Sequence, residues 1–226
     1  MDPSEVLSEL ISLKNQKNID GMARFGISVD GALGIPIPEL RRMAKSLGKN
    51  HSLAIELWDS GIHEARILAS MVDEPSKVTE SQMESWVADF DSWDICDQVC
   101  ANLFSHTPFA WSKAEEWTKR EAEFVKRTGF ALMAVLAVHD KEAKDKDFMK
   151  LLLILKKGAT DERNFVRKAV NWALRQIGKR SIALNRAALT TAWEIKDVDS
   201  KAARWIAADA IRELDSVAVK RRLSKR

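Results

Sequence analysis

Apolar residues recur at three- and four-residue intervals along almost the whole chain, and no stretch alternates strictly enough to suggest a strand. The first helix carries its own start signal. Asp2 stands as cap, Pro3 at the first helical position and Glu5 three beyond the cap, with Val6, Leu7, Leu10, Ile11 and Leu13 as the expected buried face. The same periodicity predicts further helices over 18–26, 37–47, 51–59, 63–73, 79–89, 93–105, 108–119, 121–139, 146–157, 161–178, 181–195 and 200–214. Stops are expected at Gly34-Ile35-Pro36, Gly48, Gly61, Pro75, Pro108 and Gly158. The fold class is therefore all-α, with 12–13 helices joined by short connections, which favours antiparallel neighbours.

Five of these helices share a loose pattern, polar or basic at the start and small and apolar afterwards: HEARILAS, SWDICDQVC, FVKRTGFALM, FVRKAVNWAL and SKAARWIAADAI. Polar positions match at Arg66, Asp97, Arg127, Lys168 and Arg204, at intervals of 31, 30, 41 and 36. Repeats of about 30–47 residues with two helices each mark α-solenoids of the HEAT kind, in which one helix of each pair lines a shared concave face. An irregular helical bundle with no shared groove is the alternative. The organisation expected is a single HEAT-like repeat domain over 1–216 followed by a basic tail over 217–226.

Composition narrows the picture without redirecting it. Apolar residues make up 46% of the 226 and charged residues 31%, ordinary proportions for a soluble globular chain. Nine Gly and five Pro leave few turns, in keeping with long helices. The net charge of +3 says little about partners, whereas KRRLSKR over 220–226 is concentrated charge, read first as a frayed and solvated end. Cys96 and Cys100 lie four apart in one helical pattern, and His51, His63, His106 and His139 are scattered. Reduced core thiols are expected, with no metal site and no cofactor. The start of the chain lacks the pattern of a signal peptide, and the apolar run Phe130–Val138 is far below the roughly 20 residues of a membrane span. A cytoplasmic monomer without membrane contact is the expectation.

Trp93 and Asp97 are four apart and share one helical face, while Asp94 sits in the first turn, where a carboxylate suits the helix dipole and free N–H groups. Lys168, Trp172 and Arg175 form a stripe at i, i+4 and i+7 on a later helix, and Arg127 occupies the matching position on the helix between. Trp58, Trp86, Trp111, Trp117 and Trp193 read as inter-helix core or half-buried surface.

These segments resemble the DNA alkylation repair enzymes, the AlkD-type glycosylases built from HEAT-like repeats. MARFGI followed by ALGIPIPELRRMAK is similar to that family's opening segment, and SWDICDQVC to the segment bearing its catalytic aspartate and a tryptophan, here Asp97 and Trp93. FVKRTGFAL resembles the segment with its active-site arginine, here Arg127, and FVRKAVNWALRQIGK the one with its second tryptophan, here Trp172. Ser92 stands where some relatives have a further Trp.

The resemblance implies a right-handed solenoid and a monofunctional glycosylase that excises positively charged N3- or N7-alkylated purines from duplex DNA. Asp97, Trp93, Trp172 and Arg127 would be catalytic, and Arg175, Lys168, Arg66 and Arg204 would contact DNA. Two other readings compete: a catalytically silent relative that binds branched or damaged DNA, and a HEAT-type scaffold for protein partners.

Overall fold

A computed structural model describes residues 2–225. Met1 and Arg226, the last residue of the basic tail, lie outside the described residues. The chain divides into two compact units, Met1–Phe109 and Ala110–Arg226. Every element among the described residues is helical, as the periodicity predicts. None of the helices is long and apolar enough to cross a membrane.

The first unit holds α1 (Pro3–Ser12), α2 (Gln16–Arg24), α3 (Ile37–Leu47), α4 (His51–Asp59), α5 (His63–Val72), α6 (Glu80–Ala88) and α7 (Trp93–Asn102), then a short 3-10 turn at Phe104–His106. The capping box at α1 is formed: Asp2 accepts from the Ser4 amide and Glu5 reaches back to the Asp2 amide. Only Val6 and Leu10 of that helix are buried, and Ile11 is exposed. The odd-numbered helices form a layer, α3 on α5 and α5 on α7, with α4 paired to α5 across a short turn. Trp58 and Trp86 are buried and stacked with ring centres 4.0 Å apart.

The loop before α3 is fixed by one side chain. Glu64, buried on α5, accepts the backbone amides of Leu33 (2.7 Å), Gly34 (2.6 Å) and Ile35 (3.2 Å). Gly34 has φ +73°, and a Cβ there would lie 2.4 Å from the Asn15 carbonyl oxygen, so this loop requires glycine.

The second unit holds α8 (Ala110–Trp117), α9 (Glu123–His139), α10 (Asp145–Gly158), α11 (Asn164–Gly178), α12 (Ile182–Lys196), α13 (Lys201–Leu214) and α14 (Val217–Leu223). Again the odd-numbered helices pack in series, α9 on α11 and α11 on α13, while α10 and α12 form the covering layer. The apolar run of α9 is explained by this position: every residue from Arg127 to Ala137 is buried. Gly129 lets α9 approach α8 closely, since a Cβ would meet the Thr118 amide nitrogen at 2.7 Å.

The tail expected from 217 onward begins as a helix. Ser216 caps α14, and Val219 and Leu223, four apart, bury one face against the rest of the unit. Surrounding Lys and Arg residues mask that short apolar stripe in the sequence. Cys96 and Cys100 are both buried, as expected of core thiols.

Side-chain bonds between successive odd helices recur at similar separations within each unit. In the first unit His63 reaches Asp94, 31 residues on, and Asn102 donates to the Ser70 hydroxyl, 32 residues back. In the second unit Arg127 reaches Phe165, Asn171 reaches Asp209 and Arg175 reaches Glu213, all 38 apart. Arg66 and Asp97 fit their unit's spacing. The 41- and 36-residue intervals through Lys168 do not: the residue level with Arg127 is Phe165, and Lys168 lies almost a helical turn farther on.

Removing the Glu64 carboxylate leaves three buried amides without their acceptor. Glu64→Ala is expected to lower unfolding free energy by about 3 kcal/mol or more in urea denaturation; a loss below about 1 kcal/mol would show that the loop satisfies those amides otherwise.

Candidate functional site

The start of α7 carries the candidate chemistry of the first unit. Ser92 precedes the helix in extended conformation, Trp93 opens it, and Asp97 follows one turn on. Trp93 and Asp97 are both half-buried on the same face, whereas Ile95, Cys96, Val99 and Cys100 fill the core side. The indole is anchored, its Nε1 donating to the Phe25 carbonyl at 3.1 Å.

Asp94 plays a larger part than a first-turn carboxylate. Its Oδ2 lies 2.8 Å from Nε2 of buried His63, and its Oδ1 accepts from the Ser92 hydroxyl at 2.6 Å. Ser92 Oγ in turn accepts the Ser28 amide at 3.3 Å. Burial alone would push the His63 pKa down, but the hydrogen bond and charge of Asp94, with Glu64 and Asp91 nearby, outweigh it and raise the imidazole. Burial would likewise raise Asp94, and the bond and charge of His63 instead hold it below the usual carboxylate range. A cleft of about 710 Å³ opens beside this pair and is also lined by Lys17 and Arg24 of α2 and by Phe25 just after it. Sequence reasoning missed His63 because its partner stands 31 residues away; the HE pair opening α5 was the available signal.

Arg66, on α5, spends its guanidinium locally. It lies over the Trp58 ring at 5.2 Å, donates to the Asp89 carbonyl at 3.3 Å and stands 3.7 Å from the Asp89 carboxylate.

In the second unit, Lys168, Trp172 and Arg175 do lie on the less buried side of α11: Lys168 is exposed, the other two half-buried. Arg175 is committed to carboxylates of α13, with Glu213 at 2.6 Å and Asp209 at 3.4 Å. Burial would raise Glu213, but Lys179 and Arg175 together lower it. Arg127 is buried at 4% exposure, and its Nη1 donates to the Phe165 carbonyl at 2.7 Å. A solvent-facing contact with DNA, the sequence expectation for Arg175, is therefore not its arrangement here, and Arg127, expected as an active-site arginine, is packed into the α9–α11 contact. The reason is packing, since each side chain points from one odd helix to the next. Arg204 is exposed and paired with Asp199 at 3.0 Å. Of the tryptophans read as core or half-buried surface, Trp193 is of the second kind, 51% exposed with Lys196 over its ring at 4.5 Å.

A sequence model of the DNA alkylation repair enzyme family matches residues 6–214. The chain belongs to that family. Similar proteins include an uncharacterized protein of Listeria innocua, 30% identical over 130 residues, and one of Listeria monocytogenes, 27% identical over 130. Each match covers 55% of this chain and 58% of the relative, so the chain spans little more than half the length of these curated relatives. Among solved structures, a protein described as a new family related to the HEAT-like repeat DNA glycosylases, with affinity for branched DNA structures, superposes with a TM-score of 0.78. It is 20% identical and covers 94% of this chain and 95% of its own. At that identity the likeness is one of fold, and the fold of this member of the DNA alkylation repair enzyme family is all-α with HEAT-like repeats.

The His63–Asp94 pair makes stability depend on pH. With a folded pKa above the ordinary 6.5, protonated His63 contributes stability that is fully present below about pH 6.5 and lost as pH rises through the raised value. Asp94, lowered, keeps its contribution above its ordinary 3.8 and loses it as pH falls through the folded value. The melting temperature of the native protein should therefore exceed that of Asp94→Asn most at pH 5–6, and the gap should shrink towards pH 9. A gap independent of pH across that range would mean His63 stays neutral.

Proposed function

We propose that this protein is a monofunctional DNA glycosylase that removes positively charged N3- or N7-alkylated purines from duplex DNA, with Asp97 as the catalytic carboxylate. The observation that carries the reading is the half-buried pairing of Trp93 and Asp97 on one face of α7, within the segment SWDICDQVC. A purine alkylated at N3 or N7 is already cationic and leaves without an acid. Positive charge then develops on the deoxyribose, and a fixed, partly desolvated carboxylate stabilises that charge and orients the attacking water. The indole of Trp93 offers an electron-rich face to the same cation. In this reading Trp172 contributes a second indole, and Arg127 acts by bracing the α9–α11 contact through Phe165. Lys168 contacts backbone phosphate, while Arg66, Arg204 and Arg175 serve there only by exchanging Asp89, Asp199 and Glu213 for a phosphate. No cofactor is called for.

A second reading, binding without excision, draws on specific features of this chain. Ser92 replaces the additional tryptophan of some relatives, Arg175 is neutralised by two carboxylates, and the fold neighbour has affinity for branched DNA. The two readings part on one assay: incubation with duplex containing a single 7-methylguanine, scored for an abasic site by alkaline cleavage. Excision is expected from the native protein. Asp97→Asn should retain the fold and duplex affinity and lose roughly 10²-fold or more in rate. No release by the native protein, together with preference for a four-way junction over linear duplex, would establish the second reading.

Binding should also be dominated by backbone contacts. Affinity for duplex is expected to fall steeply with salt, and Lys168→Gln to flatten the slope of log K against log salt by about 1. A salt-independent affinity would remove phosphate contact from the account.

A further inference from the structure

The second unit holds a pocket of about 570 Å³ that none of the lesion-directed residues lines. Its walls come from the C-terminal end of α9, the loop to α10, the C-terminal end of α11 and the last turn of α14. Lys141, Lys144, Lys179, Arg180 and Arg222 face it, with Asp145 as the one carboxylate in the lining.

Three of these cations have structural work. Arg180 donates to the carbonyls of Ala137 (3.1 Å) and Ala143 (2.7 Å) and lies over the Phe148 ring at 4.4 Å, which fixes its head group in the wall. Lys179 pairs with Glu213 at 2.6 Å, and Lys141 donates to the Val138 carbonyl. Lys144 and Arg222 are exposed, and among the described residues no carboxylate pairs with either. Five cations against Asp145, Glu213 and Asp140, whose carboxylate feels the charge of Arg180, leave two positive charges around a small concavity, and the Asp145 carboxylate is turned to the Ser181 hydroxyl. Like charges brought together this way raise the potential inside the pocket and draw in a compact, multiply charged anion. Arginine with lysine, one head group held rigid and two free to close, suits phosphate oxygens.

We propose that this pocket binds a phosphate group with more than one negative charge, of the kind carried by a free nucleotide or by the phosphorylated end of a nucleic-acid strand. The volume suits a mononucleotide, whereas an intact duplex is too broad to enter. Burial of Val219 and Leu223 is what brings Arg222 to the wall, so α14 belongs to the site as well as to the core. The proposal is independent of base excision.

The test is titration calorimetry of the full chain with pyrophosphate, and with single-stranded oligonucleotides bearing either a 5′-phosphate or a 5′-hydroxyl. The native protein should bind pyrophosphate, and the double variant Lys144→Gln/Arg222→Gln should bind it at least about 10-fold more weakly while keeping its melting temperature and its 7-methylguanine excision. Preference for the 5′-phosphate oligonucleotide, lost in the double variant, assigns the phosphate to a strand end; equal binding of the two oligonucleotides with pyrophosphate retained assigns it to a free nucleotide. Absence of pyrophosphate binding, or binding that the double variant leaves unchanged, overturns the site. Asp97→Asn should bind pyrophosphate as the native protein does, so failure of the excision reading leaves this result interpretable.

Discussion

Each unit of this protein depends on polar side chains that cross from one odd-numbered helix to the next, or to the loop before it, at closely similar sequence distances. Helices with small apolar faces can slide along one another at little cost, because one methyl contact replaces another. A buried polar group cannot, since its partner must stand within hydrogen-bond distance or its desolvation goes unrepaid. His63 with Asp94, and Glu64 with the amides of Leu33, Gly34 and Ile35, set the register in the first unit. Arg127 with Phe165, Asn171 with Asp209 and Arg175 with Glu213 set it in the second.

That use of polar groups redistributes the electrostatics a reader would assign from the sequence. Arg127 and Arg175, which the sequence offers as an active-site and a DNA-contacting arginine, are largely consumed by holding helices together. Exposed cations are elsewhere: Lys168 on α11, and Lys144 and Arg222 at the rim of the α9–α11–α14 pocket. A net charge of +3 hides both facts, because it counts paired and unpaired groups alike.

Two carboxylates three residues apart on α7 illustrate how environment separates roles. Asp94 is gripped by His63 and Ser92, its charge secured and its geometry spent on tying α7 to α5 and to the loop at Ser28. Asp97 is one turn along, level with Arg66 in the repeat register, and half-buried beside the anchored indole of Trp93. Anchoring the helix start through Asp94 fixes where Asp97 and Trp93 point, so the structural carboxylate is a precondition for any chemistry by the other.

Most helices, the capping box at Asp2, the helix start at Trp93 and the shared face of Trp93 and Asp97 were legible in the sequence, because each is written within a few consecutive residues. The family resemblance lay in the same local strings. What sequence could not decide was partner choice across 30–40 residues. The 38-residue register of the second unit, the His63–Asp94 pair and the ion pair that neutralises Arg175 depend on how one helix seats against another. No local pattern encodes that seating. The helical face of α14 was lost for a related reason: two apolar residues among Lys and Arg are a stripe only once a neighbouring helix is there to cover them.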